Sequence, residues 1–105
     1  VDGVTSPPPF SARVEHDPLR VVVEGELDMA TSERLASVLA SVLADSSSPV
    51  VRLEFGGVTF MDSSGLAALL QAVEAGRQVV LCGAGEPIRR VLEATGLDSV
   101  IRVEP

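Results

Sequence analysis

Lysine is absent from the sequence, and all 8 of its basic residues are arginines. That removes the amine needed for Schiff-base chemistry and for a phosphate-binding P-loop. Cysteine occurs once, at Cys82, which excludes an internal disulfide and a cysteine metal cluster. Its neighbours Val79, Val80 and Leu81 make it read as a small buried hydrophobe in a reducing compartment. The single histidine, His16, reads as a surface residue at a strand end and has no metal-ligand spacing around it. Aromatics are scarce, at 3% against 46% hydrophobic residues, so the core has to be built from Val, Leu, Ile and Ala. No stretch approaches 18 uninterrupted apolar residues and none has a signal-peptide pattern, so the expectation is a cytoplasmic chain without membrane insertion.

The chain is acidic, with 15 acids against 8 bases and a formal charge of −7. Such a field repels phosphate backbones and attracts basic protein surfaces, so nucleic acid is not an expected partner. A solubility role explains the same charge; salt-dependent association would separate the two. At 105 residues the chain suits one domain. Residues 1–11, with Pro7, Pro8 and Pro9, read as a tail or linker, and residues 12–105 as the folded domain.

Ala12 to His16 and Leu19 to Leu27 read as a hairpin around Asp17-Pro18. Leu35, Val38, Leu39, Val42 and Leu43 form a helical stripe within 31–44, with Asp28, Thr31 and Ser32 as candidate caps. Val50 to Phe55 alternates as a strand, which Gly56-Gly57 is expected to break. A second helix opens at Asp62-Ser63-Ser64-Gly65 and ends at Gly76. An apolar strand, 77–82, then a helix from Pro87 to Gly96 and a strand over 100–103 complete the order ββαβαβαβ. The expected class is α/β, a mixed, mostly buried sheet of four to five strands with flanking helices.

The segment Phe60-Met61-Asp62-Ser63-Ser64-Gly65-Leu66 places two hydroxyls where a loop becomes a helix. Helix-start amides lack internal partners, and the peptide dipoles put about half a positive charge there. A phosphoryl group, adding roughly −1.5 to −2 charge, is accommodated at such a point without unfolding the domain. Capping alone also accounts for Asp62, Ser63 and Ser64.

These residues, together with Glu24-Gly25-Glu26-Leu27-Asp28 and Gly96-Leu97, resemble the STAS domain family, in particular the bacterial anti-sigma-factor antagonists. The resemblance runs from about Arg13 to Val103, without departure in either motif. It implies an unphosphorylated antagonist that binds an anti-sigma factor with serine kinase activity. Phosphorylation at Ser63 ends that binding, and a phosphoserine phosphatase reverses it. It also implies a docking face containing Asp28, Thr31, Met61, Asp62, Ser64 and Gly65, with Gly65 permitting close approach of a partner. No cofactor, metal or catalytic residue is implied.

Other members of the fold family serve as interaction modules of anion transporters, lipid-transport systems or stress-sensing scaffolds. An enzyme is disfavoured, since no G-x-S-x-G elbow surrounds Ser63 and no base is assigned to it. Gly83-Ala84-Gly85 follows a strand as phosphate-binding turns do, but Ile88 stands where a third glycine belongs. It reads as a turn, with weak nucleotide binding as the alternative.

Overall fold

The computed structural model describes residues 9–105. The expectation of a Pro-rich tail falls, for residues 1–8, outside the described residues. The elements run β1 (Ser11–Glu15), β2 (Arg20–Leu27), α1 (Met29–Asp45), β3 (Val50–Met61), α2 (Ser63–Glu74), β4 (Gln78–Cys82), α3 (Glu86–Thr95) and β5 (Ile101–Glu104). A 3-10 turn over Leu97–Ser99 precedes β5. The expected order is the observed one.

The five strands lie in the order β1-β2-β3-β4-β5. β1 is antiparallel to β2, and every later pair is parallel. Each parallel step therefore needs a crossover helix, and crossovers are right-handed. Because the strand order advances in one direction only, right-handed crossovers put all three helices on one face of the sheet. The core follows that face: Val21, Val23, Leu53, Phe55, Val79, Leu81 and Ile101 pack with Leu35, Leu39, Leu69, Ile88 and Leu92.

Among the described residues the other face carries no helix, so helices cover the sheet on one side. Period-two alternation places Arg13, Glu15, Arg20, Glu24, Arg52, Arg102 and Glu104 there. They pair across strands, Arg20 with Glu15 at 2.8 Å, Arg13 with Glu24 at 3.4 Å and Arg52 with Glu104 at 2.9 Å, and along β1, where Arg13 meets Glu15 at 3.2 Å. The guanidiniums of Arg20 and Arg52 hold the carboxyls of Glu15 and Glu104, respectively, below the ordinary carboxylate range. Arg52 Nη1 also donates to Cys82 Sγ at 3.5 Å, so the buried thiol sits under a charged lid on this face. Exposed pairs of this kind add little stability singly, but they leave the face close to neutral.

The expected break at Gly56-Gly57 does not occur. β3 continues through both glycines to Met61, pairing with β2 as far as Leu27, with register shifts between Val22 and Glu24 and between Gly25 and Glu26. Glycine marks a bulge here instead of a turn, because a Cβ on Gly57 would stand 2.8 Å from Glu24 Cγ. β4 pairs with β3 only as far as Glu54. The ends of β2 and β3 therefore project as a two-stranded extension, and both lead directly into helices.

Candidate functional site

The extension delivers two helix starts side by side. Leu27 pairs with Met61, and Asp62 N donates to Leu27 O at 3.1 Å. Asp28 and Asp62 then cap α1 and α2 with almost the same backbone, φ −114° and −109°, each with ψ −170°.

At α1 the cap is closed. Asp28 Oδ1 accepts from Ala30 N and Thr31 N, both at 3.0 Å, and Thr31 Oγ1 accepts from Asp28 N at 3.0 Å. The same hydroxyl lies within hydrogen-bonding distance of Glu26 O, 2.6 Å, and of Asp28 Oδ1. This reciprocal box consumes the local donors. The amide of Thr31, then its hydroxyl, hold the Asp28 carboxyl below the usual aspartate range.

At α2 the cap is open. Asp62 Oδ1 accepts only from Ser64 N, at 2.8 Å. Gly65 stands where Thr31 stands in α1, so no side chain reaches back. Ser63 occupies the first helical position, is exposed, and its hydroxyl is engaged by no hydrogen bond among the described residues. Ser64 is half-buried and faces the groove between α1 and α2.

Asp28, Thr31, Asp62, Ser63 and Ser64 are thus gathered at one end of the molecule. Met61 and Gly65 belong to the same end but lie beneath its surface: both are buried, Met61 at 4% exposure. The close approach that Gly65 permits is internal. A Cβ there would meet Met61 Cγ at 2.5 Å and Leu27 Cβ at 3.2 Å, so the glycine seats α2 against the strand ends.

Two exposures and one burial at this end were not foreseen in the sequence, and Ser32, named there as a candidate cap, does not cap α1, which Asp28 does. Met29 is 77% exposed at the first position of α1, the counterpart of Ser63, and Phe60 is 46% exposed at the end of β3. Simple alternation does not foretell the exposure of Phe60, because the register shifts between Val58 and Phe60, leaving Val58 buried and both Thr59 and Phe60 exposed. Ser32 lies buried at the α1–α2 contact. The acids Glu26, Asp28, Glu33 and Asp62 cluster here, whereas Arg34 turns to the Phe10 ring, 5.0 Å from its centroid. The end is acidic and partly apolar, in contrast with the charge-paired sheet face.

Among the described residues no three His, Cys, Asp or Glu side chains gather as metal ligands, and no helix is long and apolar enough to cross a membrane. His16 lies just beyond β1, exposed, at the opposite end of β2 from the site.

Comparison with known proteins gives consistent results. The STAS domain family profile matches residues 10–105. An anti-sigma-B factor antagonist of Listeria monocytogenes is 30% identical over 92 residues, covering 84% of this chain and 80% of the relative. A crystal structure of an anti-sigma factor antagonist from Mycobacterium paratuberculosis superposes with TM-score 0.82 at 31% identity, covering 97% of this chain and 91% of that one. The Bacillus cell fate determinant SpoIIAA in its phosphorylated form shares the fold, with TM-score 0.63 at 23% identity and 90% coverage of each chain.

Proposed function

This chain belongs to the STAS domain family, and from that membership we propose that it is an anti-sigma-factor antagonist switched by phosphorylation of Ser63. In its unmodified form it binds an anti-sigma factor that is also a serine kinase. Phosphorylation releases that factor and a phosphoserine phosphatase restores binding. The chain acts as a regulator and not as an enzyme.

The observation that carries this reading is the open start of α2. Of the two adjacent serines, Ser63 is exposed and unengaged, whereas Ser64 has its amide held by Asp62 and its side chain turned to the groove. A kinase reaches the first and not the second. The helix start tolerates the product, because the helix dipole counters the added negative charge. The docking face does not tolerate it, because the phosphate arrives beside Asp62 and displaces whatever packed there. An acidic surface around Asp28, Glu33 and Asp62 supports a basic partner surface and charge-steered association.

The test is intact-mass analysis after incubation with ATP and candidate serine-kinase anti-sigma factors, with the modified peptide mapped. One phosphate on Ser63, lost in Ser63→Ala, is the expected result. Stable binding with no phosphate on any serine would replace the switch with a constitutive interaction module.

A further inference from the structure

The sheet has two outer strands, β1 and β5, and among the described residues neither has a strand on its far side. Both edges are built alike. Each carries the same tripeptide, Arg13-Val14-Glu15 in β1 and Arg102-Val103-Glu104 in β5. In each, the valine packs against the core on the helix side, while the arginine and the glutamate stand on the open face and meet each other at 3.2 and 3.1 Å. A free edge presents unpaired amides and carbonyls to any extended chain of matching pattern.

Arg-Val-Glu matches itself when two copies run antiparallel. With a twofold axis at Val14, the two Val14 side chains meet on the helix side, and Arg13 of each copy lies opposite Glu15 of the other on the open face. The charges also select the register. A twofold at Arg13 or at Glu15 would set like charges face to face.

The flanking clefts distinguish the two edges. Between β1 and α1 a cleft of about 350 Å³ is lined by Val14, Leu19 and Val42 together with His16 and Asp45. A strand added to β1 lays its helix-side side chains over these apolar groups. At the other edge the cleft of about 380 Å³ between β5 and α3 is lined by Glu86, Arg89, Arg90, Glu93 and Asp98. Covering it would strip water from a ring of charges, which is costly. The β1 edge is the one suited to being covered.

We propose that the chain self-associates through β1, two copies joining their sheets across a twofold at Val14. The occupant is a second copy because the charge pattern of this edge complements itself and requires nothing that the chain lacks. β1 has five residues, so the contact is small and the dimer dissociates readily. Because β1 runs antiparallel to β2, its start lies beside the end of β2, and the twofold places the two pairs of helix starts at opposite ends of the joined sheet. Both Ser63 side chains stay accessible. Self-association is thus independent of the antagonist reading, and its failure would leave that reading untouched.

The experiment is sedimentation velocity of the full chain over a concentration series, with Arg13→Glu and Glu15→Arg measured alone and mixed. The wild type is expected to pass from monomer to dimer as concentration rises. Each variant alone sets like charges opposite each other twice across the twofold, and is expected to dimerise at least about tenfold more weakly. An equal mixture restores opposite charges at both pairs, so a dimer of one copy of each is expected near the wild-type concentration. That recovery also shows that both variants fold. A wild type that stays monomeric, association undiminished in both variants, or a mixture no better than its components would overturn the proposal. Species that keep growing beyond the dimer would overturn it as well, since β1 pairing with β5 of the next copy makes an open chain and not a closed pair.

Discussion

The two helix starts at the end of the β2–β3 extension have the same cap residue and the same backbone geometry, yet they do opposite things. In Asp28-Met29-Ala30-Thr31 the third residue after the cap returns a hydroxyl, and the start is closed. In Asp62-Ser63-Ser64-Gly65 that position is glycine, and the start is left with one side-chain cap bond and an exposed hydroxyl. The difference teaches that the residue three positions after the cap decides whether a helix start is closed by a second side chain. The closed start has its hydroxyl spent on the cap, and the open one leaves the Ser63 hydroxyl free for the modification proposed above.

The strongest way to break the comparison is to place the same charge at the first position of each helix. Ser63→Asp is expected to weaken binding to the anti-sigma factor by about a hundredfold or more, since like charge at a docking face costs several kcal/mol. Met29→Asp is expected to weaken it less, because its loss is one rim contact. Equal losses in a titration of both variants would make the effect a general repulsion and not a switch.

A second test builds the closed start into α2. Gly65→Ala places a Cβ against Met61 Cγ and Leu27 Cβ, a form of overpacking that costs about 1–3 kcal/mol. Gly65→Thr is expected to cost more, although it supplies the capping-box hydroxyl, because the seat leaves no room for the side chain. Urea midpoints of the two variants check this, and stabilisation by threonine would show that the open start is not imposed by packing. A smaller effect is expected at α1, where Thr31→Val removes the hydroxyl that serves Asp28 N and Glu26 O, at about 1 kcal/mol. Denaturant titration reads that loss directly.

Much of this architecture is legible in the sequence, and the exceptions have physical causes. The α1 stripe, the caps Asp28 and Asp62 and the stops Gly76 and Gly96 depend on local spacing, which one chain displays by itself. Gly56-Gly57 misleads because glycine serves turns and bulges alike, and only the proximity of Glu24 on the neighbouring strand decides between them. The open sheet face is a consequence of strand order, which composition does not reveal. Arg13, Glu24, Arg52 and Glu104 announce a polar face, but their partners lie as many as 52 residues apart. Ser32 is invisible for a related reason. A serine in a helical stripe looks like a tolerated neighbour of the cap until its burial against α2 is known.

The smallest expected effect tests the closed start by pH. Asp28 has its carboxyl held low by the Thr31 amide and hydroxyl. A carboxyl whose folded pKa lies below its unfolded one binds protons more readily when unfolded. Its stabilising contribution is therefore complete above the ordinary aspartate range and is lost as pH falls through the lower folded value, below about pH 4. Glu15 and Glu104 act in the same direction, so the wild type should lose stability on acidification for several reasons. Asp28→Asn retains an acceptor but cannot titrate, and it should flatten the acid limb of a stability-against-pH curve. An unchanged acid limb in Asp28→Asn, read from urea midpoints between neutral pH and about pH 3, would mean that the closed start does not hold its carboxylate low in the folded chain.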